Sequence, residues 1–188
     1  YVHPYTRANF IAICLYRCDG THISNFFVIF AYIGIQFRKN AFGHGTQLRG
    51  AYSNLYLDGC STGMIVEGEA TGSVSFQASN VVAFGAHPDN TTGIPFRVSG
   101  NNSRIDISCL EASNCGQFAV LIEGTGNIVT IGALRSDGWN KTVAGFPAMW
   151  VTPGNTLRLG NEPTLENGNG GAVRGSTGTI TKPSTVTL

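Results

Sequence analysis

Charge is what this chain has least of: Asp, Glu, Lys and Arg make up 12% of its 188 residues, about half the usual share. The formal net charge is +1 and no basic cluster with interleaved aromatics occurs, so there is no electrostatic case for a nucleic-acid partner. No apolar run is long enough to span a bilayer and no signal peptide is visible, which argues against membrane insertion. The chain opens at Tyr1 rather than Met, as a segment cut from something longer would. Its five cysteines are an odd number with no CxxC spacing, so a reduced, partly buried set is expected in place of a disulfide framework. Cys14, Cys18 and His22 resemble metal ligands only superficially, because no second pair stands at finger spacing. No metal and no cofactor is expected. No stretch keeps a helical period over three turns.

Glycine is abundant, at 25 residues, and Asn, Ser and Thr are plentiful. Three Asn-x-Ser/Thr triplets, at Asn90, Asn101 and Asn140, are no more than this composition produces by chance. The informative feature is a repeat. A glycine closely followed by an apolar residue recurs at Gly34, Gly63, Gly93, Gly116, Gly145 and Gly171, in steps of 29, 30, 23, 29 and 26 residues. Each opens a short apolar strand that ends in a second glycine, as in "GMIVEG", "GIPFRVSG" and "GQFAVLIEG". Further strands begin at Val74, Ile105, Ile128, Leu157 and Ile180. Units of this length cannot each bury an apolar face, but stacked units share a continuous core. The expectation is an all-β parallel β-helix, a solenoid of about six three-strand rungs over residues 20–182. Residues 1–19 form an incomplete N-terminal rung or lead-in, and 183–188 a tail. An antiparallel β-sandwich is the rival, and it requires hairpins between neighbouring strands.

The rungs "HISNFFVIFAYIGIQF", "STGMIVEG" and "TTGIPFRVSG" and the late "GNTLRLGNEPTLENGNGGAVRG" resemble the right-handed parallel β-helix of the pectate lyase-like superfamily, and within it the bacteriophage tailspikes. That resemblance implies a virion-tail or extracellular protein, a homotrimer, that binds and in many cases cleaves bacterial surface polysaccharide. A secreted polysaccharide hydrolase or lyase and a purely structural solenoid of a larger fibre stand as alternatives.

Counting six residues back from the glycines puts Val28, Leu57, Leu110 and Leu165 in one inward column, with Ala83 and Leu134 joining after insertions. The next residue of each unit then faces solvent: Ile29, Asp58, Phe84, Glu111, Arg135 and Glu166. Asp58, Glu111 and Glu166 would lie two rungs apart, roughly 9.6 Å, near the upper end of the carboxylate separation that inverting glycosidases use. They are the candidate catalytic residues, and a surface charge ladder relieved by Arg135 is the bland alternative. Glu67 and Glu123, with Ser99 between them, make a second acidic stack. Two long corners, "GAHPDNTTG" (85–93) and "DGWNKTVAG" (137–145), flank the tight turn at Asn114 and would wall a groove. Trp139 would offer a sugar platform, and His87, Asp89, Arg135, Lys141 and Asn114 the polar contacts. An outward apolar column containing Ile29 and Phe84 predicts self-association.

Overall fold

The structure is a computed structural model that describes residues 2–16, 18–38, 48–68, 74–85, 93–139, 145–169 and 178–182. It begins with helix α1 (Val2–Asn9), followed by β1 (Ile11–Leu15), β2 (Asp19–Ile29), β3 (Ile33–Phe37), β4 (Leu48–Asp58) and β5 (Thr62–Val66). Next come β6 (Val74–Phe84), β7 (Ile94–Val98), β8 (Arg104–Ser113), β9 (Val120–Ile122) and β10 (Ile128–Asp137). The last strands are β11 (Met149–Val151), β12 (Thr156–Leu159), β13 (Thr164–Glu166) and β14 (Thr179–Thr181).

These strands form two sheets. One has the order β1-β3-β5-β7-β9-β11, the other β14-β12-β10-β8-β6-β4-β2, and β13 extends the second by pairing with β10. Every pairing between them is parallel and joins strands of successive turns. The fold is therefore a parallel β-solenoid of about four full turns with shorter strands at its ends. A sandwich is excluded, since no described strand pairs antiparallel with its neighbour.

The core lies between the sheets. β6 shows why the sequence folds this way: its inward residues Val74, Phe76, Ala78, Val81 and Ala83 are buried, and the intervening polar residues are not. Phe76 stacks on Phe37 across the interior at 4.4 Å, and Tyr52 meets both rings edge-on. Both faces of the shorter sheet are covered, because Ile94, Phe118 and Leu121 gather on its outer side with Phe146 and Trp150.

Two strands per turn replace the three expected, for a local reason. The long strands bend without breaking at Asn25, Asn54 and Asn80, whose φ angles of 55°, 51° and 52° lie in the left-handed region that Asn tolerates better than other side chains. The three amides stack: Asn54 Nδ2 donates to Asn25 Oδ1 at 2.9 Å and Asn80 Nδ2 to Asn54 Oδ1 at 3.0 Å. What reads as two strands in sequence is one bent strand. A second, buried ladder satisfies the opposite corner. Asn127 Oδ1 accepts the Ser103 N–H, Asn155 Oδ1 accepts the Asn127 N–H, and Asn127 Nδ2 donates to the Gly100 carbonyl.

The inter-turn register departs from the glycine count. Met64 pairs with Phe96, Phe96 with Val120 and Val120 with Met149, so the positions equivalent to Gly34 and Gly63 are Pro95, Ala119 and Ala148. Gly93, Gly116 and Gly145 belong to the corners before the strands. Corner length varies from turn to turn, and a glycine suits a corner as well as a closely packed strand.

Candidate functional site

The corrected register redistributes the acids. Ile29 pairs with Asp58 and Leu57 with Ala83, so Asp58 stands beside Phe84. Phe84 pairs with Ser113, and Asp137 with Glu166. Glu111 pairs instead with Val82 and Arg135, in a column that starts at Phe27 and Tyr56 and ends at Thr164. Glu111 and Arg135 are thus two residues out of the column that holds Asp58 and Glu166. The expected ladder of Asp58, Glu111 and Glu166 is not assembled. The acids that do meet on adjacent turns are Asp137 and Glu166, and Asn167 Nδ2 donates to Asp137 Oδ1 at 2.8 Å. Nothing in the spacing of the glycines could have paired these two.

Leu110 stays fully buried and Leu165 half-buried, although Leu110 stacks with Val81 and Leu134 and not with Leu57. A register error of two residues leaves each side chain on its own face, because the strand period is two.

Trp139 is 5% exposed and packs into the core. A Cβ added at Gly168 would collide with its indole ring, so the ring lies over that glycine and offers no face to solvent. Asn114 closes β8 in the left-handed region with φ 52°, and its N–H donates to the Asp137 carbonyl at 2.8 Å. Its role is that of a corner residue. Arg135 is exposed on β10. His87, Asp89 and Lys141, and most of the two long corners, lie outside the described residues. The second acidic stack is found in register: Arg97 bonds Glu123 at 2.7 Å and Gln36 donates to Glu67 at 3.0 Å.

A broad concavity lies elsewhere, on the outer face of the longer sheet, before the asparagine bend. There β2, β4, β6, β8 and β10 run side by side. One row across them reads His22, Ala51, Gln77, Asp106 and Thr130, and the next is Ser24, Ser53, Ser79, Ser108 and Gly132. Short side chains in both rows leave a trough of about 590 Å³. A second hollow of about 420 Å³ joins it through Gln77 and Asp106 and includes Arg49, Ser75 and Arg104. Among the described residues the trough presents hydroxyl, amide, imidazole and a single carboxylate, Asp106, in a line along the solenoid axis. Such a lining can hydrogen-bond an extended polyhydroxylated chain. Sequence reasoning missed it because alternating Ser and Thr on an outward strand face is also the ordinary solvent face of a solenoid.

Behind the trough, Tyr52 is 3% exposed. Among the described residues its hydroxyl has no hydrogen-bond partner of good geometry, and Thr21 is close enough to favour the ionised form. Burial, reinforced by Cys18 and opposed by Thr21, pushes the phenol from 10.0 up to about 12. The folded chain holds this proton more tightly than the unfolded chain does, so this contribution to stability is complete below pH 10.0 and is lost as pH rises toward about 12. Tyr52→Phe should remove this alkaline loss while changing stability at pH 7 by less than about 1 kcal/mol. Urea midpoints measured from pH 7 to 11 check this: above pH 10 the variant should gain on the wild type, and parallel curves would contradict it.

The chain matches no protein-family model, no curated protein and no solved structure.

Proposed function

We propose that this chain is a receptor-recognition segment of a phage tailspike-like protein, found in the virion tail or outside the cell, that binds bacterial surface polysaccharide along the trough of the longer sheet. The observation that carries the reading is the trough itself: aligned hydroxyl and amide groups contributed by successive turns of one sheet. A repeating polymer is the ligand whose geometry repeats with the turns. The finer architecture belongs to the same reading, namely six rungs wound right-handed. The hand follows from the strong preference for right-handed crossovers between parallel strands of one sheet.

Self-association is part of the proposal. Phe27, Ile29 and Tyr56 are 59%, 42% and 39% exposed. Phe27 and Tyr56 lie 5.6 Å apart, and Tyr56 and Phe84 5.7 Å, forming an aromatic stripe along the axis. A homotrimer about the long axis would cover that stripe.

We assign recognition, not cleavage, to the trough, because glycoside hydrolysis uses two carboxyl groups and Asp106 is the only one among the described residues of its lining. The test is retention of capsular and O-antigen polysaccharides by the intact protein, with Ser79→Trp as the blocking variant. Ser79 faces outward in mid-trough, so the indole should fill the trough and weaken binding about tenfold or more, equivalent to ~1.4 kcal/mol. Unchanged retention by the variant, with its fold intact by circular dichroism, would move the site to another face.

A further inference from the structure

Three arginines stand on alternate strands of the trough sheet: Arg49 on β4, Arg104 on β8 and Arg158 on β12. Arg49 and Arg104 occupy one row, with Ser75 between them, and Arg158 lies in the row of Asp106, with Thr130 between those two. All three are exposed, and among the described residues none of their guanidinium groups forms an ion pair or hydrogen bond. Arg49 and Arg104 line the smaller hollow, and Arg158 continues the row of Asp106 and Thr130 on the same sheet face, three exposed cations in a chain with few charges. Successive arginines are two turns apart, roughly 9.6 Å along the axis.

We propose that the ligand of the trough is an acidic polysaccharide carrying one carboxylate on alternate sugar units, with Arg49, Arg104 and Arg158 each taking a carboxylate and the serine row taking the neutral units between. This rests on the glycan reading of the trough and deepens it. Arginine suits the task because its planar fork bonds a carboxylate through two parallel N–H donors. The opposing charges define the selectivity. Asp106 and Asp19 face the same edge beside Arg104 and Arg49, so the site repels a dense polyanion and accepts a sparse one. Nucleic acid fits poorly, since phosphates follow one another at roughly 3.4 Å along a strand.

The intact protein is tested with unsulfated chondroitin, which bears one carboxylate per disaccharide, and with the same polymer after its carboxyl groups are reduced to alcohols. Chondroitin should be retained, and carboxyl reduction should weaken retention about fivefold or more, with added salt acting in the same direction. Arg104→Gln should weaken chondroitin retention about three- to tenfold and leave the reduced polymer unaffected, and Arg104→Lys should restore only part of the loss. Equal retention of both polymers, or an Arg104→Gln protein that still distinguishes them as the wild type does, overturns the charge-spacing proposal while the trough stands. No retention of either polymer also overturns it, and the polysaccharide panel with Ser79→Trp then judges the trough independently.

Discussion

Gly100→Ala should cost at least about 3 kcal/mol of stability and prevent the corner after β7 from closing. The strand pairs Val66 with Val98 and Val98 with Ile122, which places Gly68, Gly100 and Gly124 one above another. A Cβ built on Gly100 would collide with the backbone nitrogen and Cα of Gly68, and one on Gly124 with the Gly100 carbonyl. Backbone cannot step aside as a side-chain tip can, so the turns would have to separate. That separation would break the corner bonds from Ser99 and Gly100 to the Val66 carbonyl, at 2.9 and 3.2 Å. Urea denaturation of the intact protein measures the effect. Gly20→Ala is the control: nothing lies within 4 Å of its added Cβ, so only the φ of 75° is penalised, by about 1 kcal/mol. If the two variants were equally stable, the stacked corner would not be the constraint argued here.

Trp139→Ala should lower stability by about 3 to 5 kcal/mol and leave polysaccharide retention, measured below the new unfolding midpoint, unchanged. The ring is buried against Gly168, so its removal opens a cavity and takes nothing from the trough. Its indole Nε1–H has no hydrogen-bond partner among the described residues. Trp139→Phe should therefore recover much of the loss, since the phenyl ring refills part of the cavity without an orphan donor. A stable Trp139→Ala protein that no longer retained polysaccharide would restore Trp139 to the ligand site.

The closing glycines show how far the repeat is legible in the sequence alone. "GMIVEG", "GIPFRVSG" and "GQFAVLIEG" each end at a position where a glycine sits under another turn, so the repeat was visible because the corner admits no side chain. The opening glycines misled after Gly63. Their strand positions pass to Pro95, Ala119 and Ala148, small or flat residues that the same crowded column also accepts. The stacking of the asparagines at positions 25, 54 and 80 was not legible. Each amide needs a partner 26 or 29 residues away in the chain, and no local pattern announces it.

The alternation of apolar and polar residues determined by itself that this is a stacked β architecture and which side chains face inward, because the period of two is a property of the strand alone. Leu57, Leu110 and Leu165 kept their faces even where the register was two residues off. Which residue lies above which was decided by the tertiary structure. Corners of unequal length contribute no local energy that sets the offset between turns, and the offset settles where the inward columns fill the core and the amide ladders close. For that reason Glu111 left the column of Asp58, Trp139 went inside, and the trough formed across five strands, with serines from four of them, could be seen only once the turns were stacked.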